Sequence, residues 1–237
     1  MNQSVLVVGV YLLDRPSYVI PITIELDKAR CWQVEQRWVA LGTGRIPDEV
    51  AKVTVRTAIP PGMKFMLLNQ LLAQVDIDRH EFILVCDDDI VLPSGFLDRY
   101  LELVRRHEFA LAQPARTHES FIDHPFVEQL DGLVARWTRF VEIGPFFSVH
   151  RTAFALLFPF DEASPMGWGY DFFWPSIIAD AGLKMGIVDA TPVAHSFRKP
   201  VSYYELGSSR RDMERFLSQR SHLSPDEAFY IVESYAS

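Results

Sequence analysis

Cysteine is scarce: Cys31 and Cys86 are the two among 237 residues. Two cysteines make no disulfide framework, and Cys86, set in an apolar run, reads as a small hydrophobe. A reducing compartment is the expectation. Long hydrophobic runs are also missing, since no stretch approaches the ~20 apolar residues of a membrane span. The opening run, Val5 to Leu13, stops at Asp14 and Arg15. It has no basic flank and no small-residue cleavage pattern, so it reads as a first core strand and not as a leader. A soluble, cytoplasmic protein with no transmembrane segment is expected. Positive charge is in deficit, with 23 Lys and Arg against 31 Asp and Glu, a net charge of −8. That balance argues against nucleic acid as a partner. It leaves room for an anionic small molecule, because a metal ion or a local basic cluster inverts the local field. Repeats, low-complexity tracts and obvious linkers are absent.

What is present is a chain that is 49% hydrophobic, enough for a substantial core. "VLVVGVYL" is a continuous apolar run, as expected of a strand covered on both faces, and "EFILVC" reads as the next buried strand. A second strand is expected near Trp38 to Leu41. "KFMLLNQLLAQV", after the Pro60-Pro61-Gly62 break, reads as a buried helix. "FLDRYLELVRRHEF" is amphipathic, with Phe96, Leu97, Tyr100, Leu101 and Val104 on one face. "ALAQP" and "MGIVD" read as strands, and a helix is expected from about Asp171 to Ala181, closed by Gly182. This alternation predicts an α/β fold with a mostly parallel central sheet flanked by helices. Residues 1–200 are expected to form the main domain. Residues 201–237 are expected to form a helical tail packed on it, with a capping-box start at Ser224-Pro225-Asp226-Glu227.

"LVCDDDIV" sets Asp87, Asp88 and Asp89 at the carboxyl end of a buried strand, where ligands bind in open α/β sheets. In an extended segment Asp87 and Asp89 project to one side and Asp88 to the other. Two carboxylates on one side suit magnesium or manganese; turn and capping roles remain open as well. In "GWGYDFFWP", Gly167 and Gly169 flank Trp168, which suggests an unusual backbone and an exposed aromatic face, although core packing would also suit Trp168. Asp171 starts a helix, where capping and catalytic roles are compatible. His195 follows the "MGIVD" strand, and imidazole ligates manganese-type ions as readily as it serves structure. Arg198 and Lys199 could neutralise a departing diphosphate or simply be solvated.

Together these segments resemble the GT-A type of nucleotide-sugar-dependent glycosyltransferase. "CDDDIV" is similar to its D-x-D motif, and "FFSVHRTAFALLFPFDE" to its strand-helix-FDE segment. "GWGYDF" is similar to its acceptor-side motif, and "GIVDATPVAHSF" to the strand ending in a metal-binding histidine. "DDDI", "AQPA", "GWGYDF" and "GIVDATPVAH" are also similar to a family of plants and bacteria known as a domain of unknown function. The resemblance implies a GT-A-like single domain and transfer of a sugar from a nucleotide-diphosphate sugar, a UDP-sugar being the expected donor, to a hydroxyl acceptor. It implies Mn2+ or Mg2+ on Asp89 and His195. Asp87, Asp88 and Arg198 would lie on the donor side, with Asp87 at the ribose or sugar. Trp168, Gly167 and Gly169 would face the acceptor, and Asp171 would be the general base of an inverting transfer. Against the family pattern, no motif supports Asp14 or Asp48 at the nucleotide base. Arg116 to Phe140 matches nothing general, though Arg116, His118 and His124 are candidates for acceptor recognition there. The competing class is a non-catalytic nucleotide-sugar or carbohydrate-binding protein on a degenerate GT-A scaffold. A nucleotidyltransferase is a poor match, because "GVYLLDRPSY" lacks its Gly-rich basic loop.

Overall fold

The structure is a computed structural model that describes residues 3–56, 64–198 and 206–236. The Pro60-Pro61-Gly62 break and Lys199 lie outside the described residues. Strands β1 (Ser4–Leu12), β2 (Gln33–Leu41), β3 (Thr54–Arg56), β4 (Phe82–Asp87), β5 (Phe109–Arg116), β6 (Leu133–Thr138), β7 (Phe146–His150), β8 (Lys184–Val193) and β9 (Ile231–Ala236) form one sheet in the order β3-β2-β1-β4-β7-β5-β8-β6-β9. Its first half is parallel, as expected: β1 pairs with β2 and β4, and β2 with β3. The second half is mixed. β7 inserts antiparallel between β4 and β5, β8 returns parallel to β5, and β6 is antiparallel to β8 and β9. The sheet is therefore mixed and not mostly parallel, because an apolar run such as "FFSVH" encodes burial but not direction.

Both faces of the sheet are covered, which is why β1 and β4 read as unbroken apolar runs. On one face Leu6, Val8, Ile83 and Val85 pack against α2 (Lys64–Leu72) and α5 (Tyr170–Asp180). On the other, Val5, Val7, Phe82, Leu84 and Cys86 pack against α1 (Val19–Asp27) and α3 (Phe96–Arg106). Gly9, at the centre of β1, aligns with Trp38 and Cys86. A Cβ there would overlap the Trp38 ring and the Cys86 carbonyl oxygen, so glycine lets that ring lie across the strand. The short α4 (Phe154–Leu157) follows β7. The tail contributes α6 (Leu206–Leu217) and α7 (Pro225–Ala228), where Glu227 reaches back to the Ser224 N–H at 2.9 Å. It also adds β9, which the sequence reading lacked. Asp189, in "MGIVD", is structural. It is buried against Arg136 at 3.0 Å and ties β8 to β6. No described helix is long and apolar enough to cross a membrane, and both cysteines are free.

Candidate active site

β4 is hydrogen-bonded on both sides, so its carboxyl end delivers the three aspartates at the middle of the sheet. Each meets different partners. Asp87 accepts from Lys64 Nζ at 2.6 Å, and its own N–H donates to the Pro145 carbonyl at 2.7 Å. Asp88 turns inward. Its side chain is 4% exposed, accepts the Leu12 N–H at 3.1 Å and is ion-paired with Arg198. Asp89 meets His195 Nε2 at 3.4 Å and Arg198 Nη2 at 3.0 Å. Burial pushes the Asp88 carboxyl up despite Arg198. Burial also acts to raise Asp89, but His195 and Arg198 outweigh it and hold that carboxyl below its ordinary range.

His195 is delivered by the segment leaving β8, where Val91 and Ala194 form an antiparallel bridge. The next turn is fixed over the aspartates. Phe197 stacks on Tyr18 at 3.7 Å, and Arg198 Nη1 donates to the Pro16 carbonyl at 3.1 Å. Removing one partner of a buried ion pair costs more than the pair contributes, because a buried charge is left alone. Arg198→Ala should therefore destabilise the fold by about 3 kcal/mol near neutral pH. The Asp88 carboxyl, already raised by burial, would rise further without its guanidinium. Acid protonates it and removes the orphaned charge. Urea unfolding should thus show a smaller deficit at pH 5 than at pH 7.5, and an equal deficit at both would refute this account.

The acceptor-side segment is shaped by two glycines. Gly167 (φ 79°) and Gly169 (φ 95°) adopt left-handed backbone, and a Cβ on Gly167 would overlap Phe65. Between them Trp168 is 38% exposed, so it is a surface aromatic and not core. Asp171 lies in the first turn of α5 and does not cap it; its Oδ1 accepts the Ile143 N–H at 2.8 Å. The residue keeps part of its surface accessible. Burial pushes its carboxyl well up, and the charge of Glu142 adds to the effect.

The strip Glu142-Ile143-Gly144-Pro145 links these two ends of the site. Ile143 orients Asp171, a Cβ on Gly144 would lie 3.8 Å from Asp87 Oδ2, and Pro145 accepts the Asp87 N–H. Arg116, at the end of β5, is 1% exposed. Its Nη2 donates to Glu142 Oε2 at 3.1 Å and to the Gly144 carbonyl. The structure thus brings Asp87, Asp88, Asp89, His195 and Arg198 together, with Asp171 across one backbone strip. Lys64 and Glu142 were missed in the sequence. Glu142 carried a signal, since a lone acid inside the apolar "FVEIGPF" implies a buried partner. Of the acceptor-side candidates, Arg116 is buried in the site, His118 is exposed and paired with Glu128 at 2.7 Å, and His124 packs against Phe140, Phe172 and Phe229. Neither Asp14 nor Asp48 contacts the aspartates; Asp48 pairs with Arg45 on the surface.

No protein-family model matches the chain, and no curated protein is detectably similar in sequence. Solved structures do match. GalNAc-T7, solved with UDP, GalNAc and Mn2+, superposes with a TM-score of 0.57 at 11% identity, over 85% of this chain and 45% of that one. S. aureus TarS, residues 1–349, gives 0.53 at 10% identity, over 81% and 59%. The mannosyltransferase PcManGT from Pyrobaculum calidifontis, solved with GDP-Man and Mn2+, gives 0.60 at 14% identity, over 95% and 67%. The chain therefore spans about half the length of the first two. At such identities the likeness is one of fold. The aspartates, His195 and Asp171 are carried by a chain with the GT-A fold of glycosyltransferases.

Proposed function

We propose that the chain is a metal-dependent glycosyltransferase that moves a sugar from a nucleotide-diphosphate sugar to a hydroxyl acceptor with inversion. The observation that carries this reading is the pairing, across one strip, of the Asp89–His195 couple with the desolvated carboxyl of Asp171. Asp89 Oδ1 and His195 Nε2, 3.4 Å apart, offer a hard oxygen and an imidazole nitrogen, a donor set that fits Mn2+ or Mg2+. Among the described residues no group of three or more ligating side chains exists, so donor phosphates and water would complete the shell. When bound, the ion would stabilise the charge of the leaving diphosphate.

The chain's own groups supply the rest. Asp171, as carboxylate, takes the proton of the acceptor hydroxyl as that oxygen bonds to the anomeric carbon and the bond to the diphosphate breaks. Trp168 offers an exposed face on which an acceptor sugar can stack. Asp87, salt-bridged to Lys64, is the group for a ribose or donor-sugar hydroxyl. Arg198, held beside Asp88 and Asp89, is the cation for the diphosphate. The neighbours hold UDP in one case and GDP-Man in the other, each with Mn2+, so both bases enter the test. Incubation with UDP- and GDP-sugars should release nucleoside diphosphate with Mn2+ and not with EDTA, faster when a hydroxyl acceptor is present. A protein that binds a donor yet never turns it over would instead be a binding module.

A further inference from the structure

We propose that the buried Arg116–Glu142 pair is a positioning device for Asp171. The strip it clamps carries the N–H that orients the carboxyl and sets the Glu142 carboxylate beside it. The inference rests on the reading of Asp171 as the base.

The geometry is a clamp. Gln113 Oε1 accepts from the Glu142 N–H. One guanidinium nitrogen of Arg116, Nη2, holds both the Glu142 carboxylate and the Gly144 carbonyl. Ile143, between those two, has its N–H aimed at Asp171 Oδ1, 2.8 Å away. Gln113 and Arg116 are buried and both belong to β5, so the clamp is anchored in the sheet. A buried ion pair contributes little net stability, and apolar residues of similar volume often do as well. Orientation alone would also be served by glutamine at 142. What a carboxylate adds is negative charge beside Asp171; burial pushes the Glu142 carboxyl up as well, and Arg116 opposes that rise. The charged groups facing Asp171 are Glu142 and Asp123, and those facing Glu142 are Arg116, His124 and Asp123. A like charge strengthens the hold on a proton, which moves a general base toward the pH at which it works. Arg116 limits the effect, and it also feels Asp87 and Asp89, so one buried cation serves both ends of the site.

The test follows the Asp171 carboxyl carbon by NMR in protein labelled at aspartate, assigned with Asp171→Asn. In the wild type its midpoint should lie above the ordinary value of ~3.9. In Glu142→Gln it should fall toward that value, and Glu142→Asp should restore most of the difference. Arg116→Lys keeps the cation on a shorter side chain, which draws it back from the Glu142 carboxylate and the Gly144 carbonyl. It should lower kcat for transfer about tenfold, the lesser scale for a supporting hydrogen-bond partner, with KM little changed. An unchanged midpoint in Glu142→Gln overturns the inference even if transfer is robust. A midpoint that moves as stated in a protein without transfer upholds the coupling and overturns the base assignment. If Glu142→Gln does not fold, the Arg116→Lys outcome decides. Failure of Arg116→Lys to change kcat then overturns the positioning role.

Discussion

Asp171→Asn should cut turnover roughly 10³-fold, the scale of a lost general base, and should at the same time raise the melting temperature. Both effects have one cause. The carboxyl is desolvated and lies beside Glu142, so its ionised form is costly in the fold. Its proton affinity is raised above the unfolded value of ~3.9. Its contribution to stability is therefore complete below that value and is lost as pH rises through the folded midpoint. Asparagine never ionises, and its amide oxygen still accepts the Ile143 N–H. At pH 8 the variant should melt ~2–4 °C above the wild type for each kcal/mol recovered, and near pH 4 the difference should close. Donor binding should be unchanged, because Asp171 acts on the acceptor. Near-normal turnover in the variant would remove Asp171 from the mechanism.

Asp89→Asn should abolish the metal dependence of nucleotide binding, with a loss of at least about 100-fold, since even outer-shell changes cost 10–100-fold in metal affinity. The neutral amide keeps shape and removes the charge that His195 and Arg198 both address. The fold should tolerate the change, because Arg198 retains the more deeply buried Asp88. The contrast with Asp171→Asn is the informative comparison: one variant loses the donor, the other keeps it and loses chemistry. Calorimetry with Mn2+ and nucleoside diphosphate separates them. Equal affinity in wild type and Asp89→Asn would take the metal off this carboxylate.

The parallel half of the fold was legible because it is written in local signals. "VLVVGVYL" and, after Glu81, "FILVC" are unbroken apolar runs, as a strand covered on both faces requires. The antiparallel half was not, since the direction of "FFSVH" depends on partners 36 to 64 residues earlier in the chain, at Ala112 and Leu84. β9 was hidden because "IVESYA" is mostly exposed at a sheet edge and follows a helix cap. The site divides the same way. Asp87, Asp88, Asp89, His195, Trp168 and Asp171 sit in segments whose pattern announces them. Lys64 follows a break, and its link to Asp87 is a tertiary fact. Arg116 was read with His118 and His124 as an acceptor-side candidate, whereas the chain buries it at the end of β5, beneath the strip that joins both ends of the site.

The most direct measurement is a calorimetric titration of the wild-type chain with UDP and with GDP, each in the presence and absence of Mn2+. One of the two should bind, with Mn2+ and not without it. A folded chain that takes up neither nucleotide with the metal present would contradict the proposed function.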